Sequence, residues 1–337
     1  MINRREFISV VGALSVAPSI STASNALIKP PRLRPGDRVG LVSPATAAFE
    51  TEQTKVWVDA LESLGFDVVL GENYYNRHGY FAGEDAARAS DINNFFVDPD
   101  IKMIFARGGW GAPRLLPLLD YEMIGNNPKV LLGYSDATAL LSAVHTMTGL
   151  VTFHGPSPLN TFSAEHFRRV VMNGEHYTLK NPTFITENTL VQTENRIRTM
   201  NSGKATGPIL GGNLSLLTAI TGSPYLPDWE GSILFVEDIE ESVYRVDRMM
   251  TELALSGVLG KIAGFVFGRC TDCKPGRGFG SLTMEDMLAE HIDPLGIPAF
   301  SGSMIGHINE QFTIPLGISV EMDADAGTIS MQEAGVL

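Results

Sequence analysis

Cysteine is nearly absent: 337 residues carry two, Cys270 and Cys273, in GRCTDCKPG. A structural zinc site takes four ligands, and neither a second C-x-x-C nor an H-x₃₋₅-H accompanies this pair. A thioredoxin-like redox pair opens a helix, whereas Pro275, Gly276 and Gly278 follow here. The pair is therefore read as a loop element able to form a disulfide in an oxidising compartment. Positive charge is also scarce. Lys and Arg number 25 against 38 Asp and Glu, a net charge of −13, which repels phosphate backbones and excludes a nucleic-acid partner. No G-x-G-x-x-G and no P-loop lysine occurs, so a nucleotide-phosphate site is excluded as well. No apolar run is long enough for a stable membrane anchor, and no internal repeat or low-complexity segment is evident. What is present is 44% hydrophobic and only 19% charged residues, ample for a large folded core.

Residues 1–26, MINRREFISVVGALSVAPSISTASNA, run from paired Arg4 and Arg5 through an apolar stretch to small residues. That order is the pattern of an export signal, and the arginine pair followed by Glu6, Phe7 and Ile8 resembles the twin-arginine type. The mature chain is then expected to be exported, to the periplasm, with a cytoplasmic location if residues 1–26 are no signal.

From residue 38 short apolar runs alternate with amphipathic stretches. Strands are expected at 38–45, 66–70, 101–106 and 129–134, and helices at 54–65, 84–98, around 112–120 and at 136–148. The alternation implies right-handed βαβ units and a mostly parallel sheet, whose ligands gather at the carboxyl ends of the strands. Residues 156–205, with a helix expected at 163–173 and strand-like pieces in NTLVQTENRIRTM, read as a crossover. A second unit follows over 206–337, with strands at 231–238 and 263–268 and a helix at 242–257.

Three strand ends carry chemistry. Arg107-Gly108-Gly109-Trp110-Gly111 follows an apolar strand, and glycines at such a turn bare backbone N–H groups for an anion or oxyanion. Gly133-Tyr134-Ser135-Asp136-Ala137 keeps the first glycine of a G-x-S-x-G nucleophile elbow and replaces the last by alanine. Ser135 and Asp136 would each also serve as an ordinary helix N-cap. Glu237 ends the apolar run ILFVE, where burial demands a partner, and Asp238 points to the opposite face. A charge ahead of the helix at 242–257 is the simpler alternative for Glu237. A nucleophilic serine needs a base. Of seven histidines, His145 lies ten residues along the same helix, roughly 15 Å away. His78, His166, His176 and His291 fall in polar or helical stretches and are expected to be solvated. His154, after a strand, and His307, between glycine-rich turns, are left as candidates.

These motifs, with GLVSPA at the first strand, GGNL at 211–214, VEDIEESVYRVDRM at 236–249 and GHINEQFTIPLG at 306–317, resemble the LD-carboxypeptidases. That serine peptidase family also contains the microcin C self-immunity peptidases. The resemblance spans about residues 35–322. It implies an α/β fold: a Rossmann-like parallel-sheet N-terminal domain (35–155), a smaller β-rich α+β C-terminal domain (206–337), a cleft between them, and a homodimer. It also implies a Ser135, Glu237 and His307 triad that needs no cofactor or metal. General acyl-transfer chemistry adds the backbone N–H groups of Asp136 and Gly109 as the oxyanion hole. The implied substrate is a peptidoglycan tetrapeptide that loses a terminal D-alanine after an L-centre. Its carboxylate needs local positive charge, for which Arg107, Arg245 and Arg248 are candidates, with Trp110 on the pocket wall where family members carry tyrosine. Arg245 and Arg248 also have acidic neighbours on their own helix. Two other functions stay open: an amidase acting on peptidyl or aminoacyl nucleotide analogues, and a muropeptide-binding protein without turnover.

Overall fold

A computed structural model describes residues 26–156, 160–183, 190–276 and 280–337. The expected export signal, but for its last residue, lies outside them. Five parallel strands form the first sheet: β1 (Arg38–Val42), β2 (Asp67–Leu70), β3 (Ile101–Ala106), β4 (Val130–Gly133) and β5 (Phe153–His154), in the order β2-β1-β3-β4-β5. Their crossovers carry α1 (Thr51–Ser63), α2 (Asp85–Val97), α3 (Tyr121–Asn126) and α4 (Thr138–Thr148). All four residues of β4 are buried, as expected of a parallel strand covered on both faces, where no polar alternation is required. Between β3 and α3 lies a 3₁₀ helix, Ala112–Leu118, rather than a longer helical turn. Pro113 sits in the first turn, where no donor is needed, but Pro117 withholds an N–H that a continuing α-helix would use.

Beyond β5 come α5 (Thr161–Phe167), which passes into a π-turn over Arg168–Met172, and then β6 (Thr178–Lys180) and β7 (Arg198–Asn201). Of the strand-like piece after residue 190, only β7 is strand. Among the described residues the second sheet has eight strands. Its centre is parallel: β8 (Lys204–Asn213), β9 (Ile233–Ile239), β10 (Gly264–Thr271) and β11 (Ala299–Ser301). Helix α6 (Leu214–Ala219) follows β8, α7 (Val243–Leu255) follows β9, and α8 (Met284–Ile292) precedes β11. Strand β12 (Ile314–Pro315) returns to the first sheet and pairs antiparallel with β5. Strands β13 (Ser319–Asp323) and β14 (Thr328–Met331) extend the second sheet, with β6 on its far edge and β7 on the opposite one. The segment 156–205 therefore supplies both edge strands of the second sheet.

Helix α7 shows why the helices sit where they do. Val243, Val246, Met250 and Leu253 recur at helical spacing and are buried, while Arg245, Arg248, Thr251 and Glu252 lie on the exposed side. One hydrophobic cluster runs through both sheets, from Leu131 and Leu132 of β4 to Phe235 of β9 and Phe300 of β11. Shared burial fixes the carboxyl ends of β3 and β4 relative to β8 and β9, and the candidate residues lie at those ends. At the seam, Asn213 N donates to Thr138 Oγ1 at 3.0 Å, tying the end of β8 to the first turn of α4.

Candidate active site

Strand β4 ends at Gly133, and after Tyr134 the chain turns through Ser135-Asp136-Ala137 into α4. Ser135 has φ of +58°, a left-handed conformation that costs a non-glycine residue on the order of 1–3 kcal/mol. A pure N-cap has extended backbone and gains nothing from such strain. Neither Ser135 nor Asp136 caps the helix with its side chain. The alanine that replaces the usual second glycine fits for a steric reason. A Cβ on Gly133 would stand 2.7 Å from Ala137 Cβ, so the pair tolerates one methyl group and no more.

The glycine loop after β3 lies directly against this turn. A Cβ on Gly108 would sit 3.1 Å from Ser135 Cβ, and one on Gly109 (φ +137°) only 2.2 Å from Thr46 Oγ1. The loop is thus wedged between the serine turn and the turn after β1, and at Gly109 glycine alone fits. Asp136 secures it from below: its buried carboxylate accepts from Ala112 N at 2.6 Å. Burial pushes the Asp136 carboxyl up to about 6, against the opposing pull of backbone donors at Ala112 and Gly111 and the nearby Arg88 charge. Arg88 is itself buried. Its guanidinium donates to Pro44 O, to Gly111 O at 3.2 Å and to Asp85, clamping both loops. Motif reasoning has no access to Arg88, which in sequence is one basic residue of α2, three after an acid.

Glu237 and His307 meet across the second sheet. Glu237, on β9, is fully buried, and its Oε2 lies 2.7 Å from His307 Nδ1. Among the described residues its other oxygen has no hydrogen-bond partner, so the imidazole is the group that offsets the buried carboxylate. Asp238 faces the other way, as strand alternation requires. It accepts from Asn213 Nδ2 at 3.1 Å and from Ser215 N and Oγ at 2.9 and 2.8 Å, at the start of α6. Burial raises its carboxyl.

The His307 ring lies 4.8 Å from that of Tyr134, the residue before Ser135. Thr271 Oγ1 donates to His307 O at 2.8 Å and so holds the loop. His154, the other candidate base, is buried on β5 beside Gly133, and among the described residues its Nδ1 has no partner. Burial, with His307 nearby, pushes it down to about 3. It has no carboxylate and stays neutral. His166 corrects one expectation. It is buried rather than solvated, with Phe162, Tyr177 and Phe312 rings around it, and burial lowers it to about 4. Its α5 position put it on the apolar face, which the polar flanking sequence concealed.

The candidate binding residues are dispersed. Arg107 donates to Ser43 Oγ at 3.3 Å and stands 5.7 Å over the Tyr74 ring. Trp110 is 70% exposed. Arg245 pairs with Glu241 one turn back at 3.3 Å, and Arg248 lies over Tyr244. A cleft of about 760 Å³ opens at His307, lined also by Asn160, Arg269, Thr271, Asn309 and Glu310. Cys270, near the end of β10, and Cys273, just past it, are disulfide-bonded. No group of three or more metal-ligating side chains occurs among the described residues.

This chain matches known proteins over nearly its full length. The LD-carboxypeptidase N-terminal domain model matches residues 39–155, and the C-terminal domain model matches residues 206–322. A probable murein peptide carboxypeptidase of Bacillus subtilis is 36% identical over 309 residues, covering 91% of this chain and 95% of that protein. Among solved structures, the microcin C7 self immunity protein MccF in its wild-type apo state superposes with a TM-score of 0.82 at 30% identity, covering 92% of this chain and 100% of that one. A muramoyltetrapeptide carboxypeptidase from Oxalobacter formigenes gives 0.72 at 28% identity, covering 87% and 97%.

Proposed function

The chain belongs to the LD-carboxypeptidase family of serine peptidases, and on that premise we propose that it releases the terminal D-alanine of peptidoglycan tetrapeptides through an acyl-enzyme on Ser135. The observation that carries this reading is the buried Glu237–His307 pair, whose imidazole packs on the residue preceding a strained serine. His307 takes the Ser135 proton as Oγ attacks the amide carbonyl, then gives it to the departing amine. Glu237 fixes the tautomer and stabilises the imidazolium. The backbone N–H groups of Asp136 and Gly109 receive the oxyanion, and the wedged glycine loop supports that role because its position is preset before substrate arrives. Water then resolves the acyl-enzyme. In this proposal the enzyme is an exported homodimer acting on wall-derived peptides.

D-Alanine release from a muropeptide tetrapeptide by wild type, and its loss in Ser135→Ala, tests the reaction. Binding without release by the wild type sinks the catalytic reading in favour of a muropeptide-binding protein, and release by both proteins removes Ser135. Secretion unchanged in an Arg4→Lys/Arg5→Lys variant would remove twin-arginine export. The close fold match to a microcin immunity protein favours a second reading, hydrolysis of an aminoacyl nucleoside analogue, and Phe162 supplies one aromatic side chain to the cleft. Chromatography of such an analogue with the wild type separates the two substrates.

A further inference from the structure

We infer that Arg269 is the subsite for the substrate's terminal carboxylate, an assignment that rests on the carboxypeptidase reading above. Each arginine suggested by the motifs is engaged elsewhere: Arg245 with Glu241, Arg248 on Tyr244, Arg107 with Ser43 and Tyr74. Arg269 lies outside those motifs. Among the described residues its guanidinium has no ion pair, hydrogen bond or ring contact, and it is half-buried in the cleft that His307 lines.

Its backbone is tied to the His307 loop. Arg269 N donates to Ile305 O at 2.8 Å, two residues before His307, and Thr271 on the same strand end holds the His307 carbonyl. The end of β10 therefore anchors the backbone from which both the guanidinium and the imidazole project. The chemistry requires that proximity. The amine leaving the scissile bond takes its proton from His307, and the carboxylate of that leaving residue is one carbon away. Glu194 and Glu310 line the same cleft, and the chain carries a net −13, so an incoming carboxylate meets repulsion wherever no cation faces it. A guanidinium answers a carboxylate with two parallel N–H donors, which fixes the orientation of the leaving residue as well as its charge.

The test compares a tetrapeptide ending in a free carboxylate with its C-terminal amide, using wild type, Arg269→Gln and Arg269→Lys. Loss of a hydrogen-bonded charge partner corresponds to about 10- to 100-fold. The expected result is that loss in kcat/KM for the acid in Arg269→Gln, mostly in KM, with the amide altered less than about 3-fold and Arg269→Lys intermediate. Unchanged labelling of Ser135 by a small fluorophosphonate, which has no carboxylate, checks that the variant is folded. Acid and amide falling equally, or neither changing, overturns the assignment. If the wild type releases no D-alanine, the carboxypeptidase reading fails. Calorimetric binding of acid and amide then decides Arg269 independently: a preference for the acid that vanishes in Arg269→Gln upholds the subsite, and its absence overturns it.

Discussion

Glu237 Oε2 and His307 Nδ1 stand 2.7 Å apart although seventy residues separate them in the chain. The buried carboxylate fixes which imidazole nitrogen faces it and therefore how the ring is oriented. Glu237→Gln keeps the shape and removes the charge, and is expected to lower kcat about 10³- to 10⁴-fold. His307→Ala is expected to cost at least as much. Steady-state kinetics, with near-ultraviolet circular dichroism to confirm folding, check both.

Gly133 and Ala137 set the closeness of the serine turn. In Gly133→Ala the new methyl would lie 2.7 Å from Ala137 Cβ and 3.0 Å from the Ala106 carbonyl. One of these is backbone and cannot yield. Overpacking of this kind costs about 1–3 kcal/mol, and kcat should fall with stability because the displaced turn carries Ser135. Urea unfolding and turnover, measured together, should move in the same direction.

His154 and His307 are separable by pH and by substitution. The folded-state value of His154 is pushed down to about 3 from an ordinary 6.5, so its contribution to stability is present above 6.5 and lost as pH falls toward 3. His154→Phe should remove that part of the acid lability and leave kcat within about 10-fold, since it deletes a buried polar atom that has no partner. Thermal melts between pH 4 and 7, set beside kcat, check this; a loss as deep as that of His307→Ala would make His154 the base.

Asp136 gives the opposite sign. Its folded-state value is raised to about 6 from 3.8, so its contribution is full below about 4 and is lost as pH rises through 6, on the order of 3 kcal/mol in all. Asp136→Asn can still accept from Ala112 N and does not titrate. Its stability should stay flat across that window where wild type declines, a difference that urea titrations at pH 4, 5 and 6 report.

The alternation of apolar runs was enough to read the parallel first sheet and most of its helices, because buried strands and amphipathic helices each leave a local period. Boundaries shifted where proline removed donors, as in Ala112–Leu118. Of the described part of the strand-like piece leading into β7 only its end is strand, because an edge strand carries little apolar pattern to mark where it begins.

For the site, local sequence supplied residue types at strand ends but no distances. It left Ser135 between nucleophile and cap, Glu237 beside Asp238, and His307 beside His154, and the resemblance to a family favoured one of each. Which carboxylate faces the imidazole and which of the two candidate histidines gains a charged partner are decided only in the tertiary structure. Those properties depend on burial and on contacts between segments up to 70 residues apart, and no local period encodes them. The sequence determined the elements and the chemistry they carry; the packing of two sheets about a shared cluster decided which of those groups meet.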